Sequence, residues 1–169
     1  VTGEGREGTP NPTVRRAAIT ALGRVGDPQS APDLIDLLDL PEFAEQTSVA
    51  LLLLGEWQGV NHQAQSLAAQ SPGIHRSHGE IVGRYGGPNY LLLLFRSAEM
   101  EGPAGLGALQ GLGYLGEPKA AARLLDATGS RNPANARVAS GALELLTGHH
   151  EDPEESLLRN RWITWWDEH

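Results

Sequence analysis

Gly111-Leu112-Gly113-Tyr114-Leu115-Gly116 spells the G-x-G-x-x-G pattern that can cradle a dinucleotide pyrophosphate. That chemistry needs the loop between a β-strand and a helix, with an acid about 20 residues further on to hold the ribose. Residues 105–110 contain no β-branched residue, and Asp126 comes too early. The glycines are therefore read as helix-packing positions, and no cofactor is expected. His75 and His78, three apart, share a helical face, but Glu80 points elsewhere. His149, His150 and Glu151 gather at a predicted turn. A metal needs three or four converging ligands, so both groups are read as ordinary surface histidines and no metal is expected. Trp162, Trp165 and Trp166 suit either an aromatic recognition surface or an end cap, and the cap is the expectation. Cysteine is absent, which removes disulfides, thiolate metal sites and cysteine nucleophiles. No spacing brings together a nucleophile, a base and an orienting group, so no catalytic residue is assigned and an enzyme is not expected.

The elements that must position these residues follow from the prolines. Pro12, Pro41, Pro72, Pro103 and Pro133 stand 29, 31, 31 and 30 residues apart, and each suits the first turn of a helix, where no backbone N–H is needed. Pro28, Pro88, Pro118 and Pro153 fall where second helices would open, with Gly59 in the remaining place. Breaks between paired helices are expected near Gly26, Gly59, Gly86, Gly116 and Gly148. Nine of the eleven prolines lie on this grid, all but Pro10 and Pro32. A period of about 30 residues built from helix-turn-helix units is the signature of an α-solenoid.

Residues 11–39 show the unit most clearly. Asn11 is placed as an N-cap and Asp27 as the cap of the following helix. Val14, Ala18, Ala21, Leu22 and Val25 share one helical face, predicted to be buried, while Arg15, Arg16 and Arg24 face away from it. Gly26 is expected to end the helix in a left-handed conformation. In the second unit, residues 49–54 are apolar almost all round and predict a helix sandwiched between neighbours. Residues 59–70 form the poorest second helix. The run Tyr90-Leu91-Leu92-Leu93-Leu94-Phe95 is too apolar for a solvent-facing helix, and repeat phase assigns it to a helix rather than a strand. Gly105, Gly107, Gly111 and Gly113 weaken their helix by about 1 kcal/mol each against alanine, which predicts close packing where a missing side chain helps. Arg76 and Glu80 are spaced to pair. Residues 151–155 read as an acid-rich helix start, and Leu158, Trp162, Trp165 and Trp166 as the inner face of a closing helix. Residues 1–9 read as a disordered tail or linker remnant, with residues 10–169 as the solenoid. The chain opens on Val1 rather than methionine, which suggests a fragment or a processed form with room for further repeats upstream.

Residues 14–27, VRRAAITALGRVGD, resemble a short HEAT-like repeat of the kind found in phycobilisome-lyase-like proteins. Residues 109–118 are similar, and units two and three keep the Leu54-Gly55 and Ile81-Val82-Gly83-Arg84-Tyr85-Gly86 cores. Leu146-Thr147-Gly148 followed by Trp162-Ile163-Thr164-Trp165-Trp166 is similar to the C-terminal repeat of bacterial HEAT-like proteins. With the period, the resemblance implies an all-α, right-handed α-solenoid of about five helical hairpins closed by a C-terminal capping helix.

Charge narrows the function classes. The 169 residues carry a net charge of −8, which disfavours nucleic acid, lesion recognition on DNA included, because phosphate neutralisation needs a basic face. No apolar run is long enough to span a membrane, no signal peptide is visible, and a cytoplasmic location is the expectation. From Asp27 to Glu45 there are six acids and no cation. The leading expectation is a non-catalytic scaffold that binds a protein or peptide, a basic one where those acids take part. Its partner-binding wall is expected at the polar positions of the second helices: Asp33, Asp36, Asn89, Lys119 and Arg123. The alternative is a small-molecule or chromophore-handling protein, by analogy with the lyase-like relatives.

Overall fold

A computed structural model describes residues 11–70, 75–153 and 157–169. Among the described residues there are ten α-helices, four one-turn 3-10 segments and no strand. The helices follow one another as five pairs, so the chain is an all-α helical repeat. It divides into two compact units, one ending at Gly59 and the other beginning at Val60. The tail expected over residues 1–9 lies outside the described residues, as do Pro72, Glu154 and Glu155.

In the first unit, helix α1 (Pro12–Val25) opens as its sequence dictates. The Asn11 side chain accepts from the Thr13 backbone N–H at 2.9 Å, and Gly26 closes the helix at φ 75°. Asp27 accepts from the Gln29 N–H at 3.0 Å and starts a 3-10 turn at Pro28, which leads into α2 (Ala31–Asp36). Helix α3 (Pro41–Leu53) begins at its proline. The next break lies at Gly55 (φ 80°), not at Gly59, because α4 (Trp57–Ala68) has already begun. Gly59 serves packing instead, since an added Cβ would lie 2.5 Å from the Ser48 carbonyl oxygen.

The core of this unit joins Ile19, Ala31, Leu34, Phe43, Ala50 and Leu51. It overturns the predicted facing of α1. Ile19 and Gly23 are the buried positions, whereas Val14 is 61% and Val25 75% exposed. The reason is the direction of the neighbour: α3 packs on the Ile19–Gly23 side, and a Cβ on Gly23 would come within 2.7 Å of Ala50 Cα. Arg15 consequently lies on the packed side, its guanidinium 4.8 Å from the centre of the Phe43 ring. The sandwich expected for α3 is one-sided too, since Val49 and Leu53 remain exposed.

The second unit holds α5 (Arg76–Tyr85), α6 (Leu91–Ser97), α7 (Pro103–Leu115), α8 (Ala121–Thr128), α9 (Pro133–Thr147) and α10 (Leu158–Glu168). Prolines open α7 and α9, and Pro88 and Pro118 open the 3-10 turns before α6 and α8. Helix α7 is central, packed on α5 along one side and α9 along another. Its glycines make this possible. A Cβ on Gly107 would run into the Arg76 carbonyl, one on Gly111 into that of Gly79, and one on Gly113 would lie 2.7 Å from Ala142 Cα. Leu109, Leu112, Leu124, Leu143 and Trp162 fill the space around this close approach. In α6 only Leu94 of the leucine run is fully buried, and Leu92 is 68% exposed, so that helix does face solvent. The last helix starts later than its acids suggested. Pro153 stands in a turn, Leu157 is left-handed at φ 66°, and α10 begins at Leu158.

Candidate partner-binding surfaces

Each residue assigned to the wall sits on a second helix or on the turn that opens one. Asp33 and Asp36 lie one turn apart on α2 and are exposed. Asn89 is exposed in the turn that opens α6, and Lys119 in the turn that opens α8. Arg123 is half-buried on α8. Lys119 and Arg123 share one helical stretch, and of the five only Arg123 lines a groove of the second unit.

That groove has a volume of about 580 Å³ and is lined by Glu99, Met100, Glu101, Arg123, Asn132 and Asn135, among others. The end of α6 provides the acids, α8 the arginine, and the start of α9 the asparagines. Arg123 Nη2 is 3.9 Å from Glu99 Oε1, a loose pair whose carboxylate is 72% exposed and therefore worth little to stability. Arg123 Nε is buried without a hydrogen-bond partner among the described residues. A second open groove of about 430 Å³ shares Glu99, Met100 and Glu101 and adds Gln70 and Arg96. The connector Glu99-Met100-Glu101 is thus an acidic ridge between two grooves. Sequence reasoning missed it because it looked at helices, whereas these acids stand just before the Gly102-Pro103 start of α7.

A second cluster lies at the C-terminal end. Trp162 is fully buried, and its Nε1–H donates to Ser140 Oγ at 3.0 Å. That hydroxyl donates to the Glu151 backbone oxygen at 3.4 Å. The Glu151 carboxylate meets His149 Nε2 at 2.9 Å and accepts from Arg161 Nε at 2.6 Å. Burial pushes the Glu151 carboxyl up, but the hydrogen bonds from His149 and Arg161, with the charge of Arg161, outweigh it and hold the group below its usual value. The His149 ring stacks on Trp165, 4.6 Å between centres, and meets Trp162 edge-on. His149 and Glu151 are therefore neither surface groups nor a helix start. They hold α10 against α9. His150 is the exposed one. A hydrogen bond from Glu144 at 2.9 Å raises its pKa. Leu158 and Trp162 form the expected cap, with Trp166 left at 38% exposure.

The remaining chemical candidates fold into structural roles. The G-x-G-x-x-G run forms the second half of α7 and its left-handed end at Gly116. His78 Nδ1 accepts from the His75 backbone N–H at 3.2 Å, which caps α5. Glu80 pairs with Arg76 at 2.7 Å, as its spacing predicts. Among the described residues no group of three or more acids and histidines is placed to hold a metal ion. No described helix is long and apolar enough to cross a membrane.

The family model for HEAT repeats matches residues 6–55. The chain is a HEAT-like repeat protein. The match spans the first helix pair and the whole of α3, where the sequence resemblance is densest. No curated protein matches the chain. HEAT-like repeats serve protein–protein interaction, because stacked helix pairs present long continuous surfaces. The groove beside Arg123 and the ridge beside it are surfaces of that kind.

Proposed function

We propose that this HEAT-like repeat protein is a non-catalytic cytoplasmic scaffold that holds a basic protein segment or peptide against its second helices. The observation that carries the reading is the groove at Arg123. It is open and polar, and of a size to take several residues of extended chain. Glu99 and Glu101 offer two carboxylates against one guanidinium, so the rim favours cationic side chains. Arg123 Nε, Asn132 and Asn135 face the same groove and suit the carbonyls of an extended backbone. Asp33 and Asp36 on α2 form a second acidic position of the same wall type in the first unit.

A displayed library of random peptides, selected on the immobilised protein, tests this. The enriched peptides should be rich in lysine and arginine. Their affinity should fall by about tenfold or more in the double variant Glu99→Lys/Glu101→Lys, since ~1.4 kcal/mol is one decade. Equal binding to that variant would remove the groove from the reading. Asp33→Lys/Asp36→Lys, measured beside it, reports the contribution of α2.

A further inference from the structure

The exposed face of α1 has a counterpart inside this chain that is covered, and the covering element describes the missing one. Aligned on their left-handed glycines Gly26 and Gly116, α1 and α7 correspond position by position. On the side that meets the following first helix they match. Ile19 and Leu109 are 3% and 1% exposed, and Gly23 packs on Ala50 as Gly113 packs on Ala142. On the other side they diverge. Ala104, Ala108 and Leu112 of α7 are buried beneath α5, while Val14, Ala18 and Leu22 of α1 are exposed. Gly107 and Gly111, which touch the α5 backbone, correspond to exposed Ala17 and Ala21. Ala17, Ala21 and Val25 line an open groove of about 530 Å³ on this face.

From this correspondence we propose that the Val14–Ala18–Leu22 face of α1 is a docking site for a helical hairpin of another protein, with its first helix parallel to α1. The direction follows from α5 on α7, where Arg76 meets Gly107, Gly79 meets Gly111 and Arg84 meets Tyr114 in rising order. The occupant's chemistry follows from two differences. Ala17 and Ala21 stand where α7 has glycine, so the docked helix sits slightly further out and presents small residues rather than bare backbone. Arg24 stands where α7 has Tyr114, whose ring receives the Arg84 guanidinium at 4.2 Å. A cation opposite Arg24 would be repelled, so the occupant carries an acid at that place, one turn from the end of its helix.

Area decides between a hairpin and a second copy of this chain. A helix of 14 residues is ~21 Å long, and one face of it offers roughly 200–400 Å², well short of the ~800 Å² per partner in a stable complex. A second copy meeting this one through α1 alone falls below that. A hairpin places two helices on the surface, as α5 and α6 both pack on α7. This face belongs to the first unit and is independent of the groove at Arg123.

The test uses the whole protein as target. The probe is a displayed library of two-helix hairpins randomised at six positions of one helix face. The expected binders carry small residues four apart and an acid near the end of that helix. Ala18→Glu should weaken the best binder on the order of a hundredfold, as a charge buried opposite an apolar helix does. Arg24→Glu should weaken it about tenfold, and replacing the binder's acid by arginine should restore it. Both positions are exposed, so unchanged thermal melting will show that the variants fold. Glu99→Lys/Glu101→Lys should leave this binding intact, which separates it from the groove. The proposal is overturned if no hairpin is enriched, or if the enriched hairpins bind Ala18→Glu equally. It is also overturned if sedimentation shows a wild-type dimer that Ala18→Glu disperses, since a second copy would then be the occupant.

Discussion

Gly111→Ala and Gly141→Ala make the same chemical change in the interior of two neighbouring helices, and the structure assigns them opposite signs. In a helix, alanine is favoured over glycine by about 1 kcal/mol because it loses less backbone entropy. At Gly141 of α9 an added Cβ meets nothing within 4 Å, so most of that gain is kept and stability rises by roughly 0.5–1 kcal/mol. At Gly111 the Cβ would overlap the carbonyl of Gly79 and come within 3.2 Å of Leu94 Cδ2. The leucine can turn aside, but the carbonyl belongs to the backbone of α5 and cannot. Helices α5 and α7 must then separate by about 1 Å, which forfeits a quarter to a half of each affected dispersion contact. Overpacking of this kind costs ~1–3 kcal/mol. A backbone obstacle puts this site at the upper end, and after the helix gain the net loss is about 2 kcal/mol. For a chain of this length that is a fall in Tm of ~4–8 °C, against a rise of ~1–4 °C for Gly141→Ala. Thermal melts followed by far-ultraviolet circular dichroism read both. A Gly111→Ala protein that melts at or above the wild type would refute the close approach of α5 and α7, and with it the account of the glycine-rich helix.

Two further outcomes follow from the C-terminal cluster. The Glu151 carboxyl is held below its usual value in the folded protein, so its contribution is present above the unfolded value, near 4.5, and is lost as pH falls through the folded one. Acid titration followed by tryptophan fluorescence should therefore show Trp162 and Trp165 loosening below about pH 4.5, and Glu151→Gln should remove that step; an unchanged step would assign it to other carboxylates. Trp162→Ala should cost ~3–5 kcal/mol, the usual loss for a fully buried large aromatic, and Trp162→Phe distinctly less. Urea unfolding measures both, and a small loss on Trp162→Ala would mean that α10 does not close this core.

What the chain decides locally could be read from its letters. A helix start needs a proline in the first turn and a cap within two residues, as at Asn11-Pro12 and Asn132-Pro133. A helix end needs one residue with positive φ, as at Gly26, Gly116 and Gly148. These signals act over one turn, so five helix pairs and the HEAT-like period were legible. Even here Gly55 and Gly59 look alike in sequence, and only packing on Ser48 tells the turn glycine from the contact glycine. Which face of a helix is buried is a different kind of fact. Val14, Ala18 and Leu22 have the spacing of a core stripe, yet burial requires a neighbour, and α3 lies on the other side. Glu151 likewise had the sequence context of a helix start, and its partners Arg161 and Ser140 lie ten and eleven residues away, beyond any helical spacing rule. Only the return of α10 onto α9 brings them together, because hydrogen bonds and apolar contact depend on distance in space.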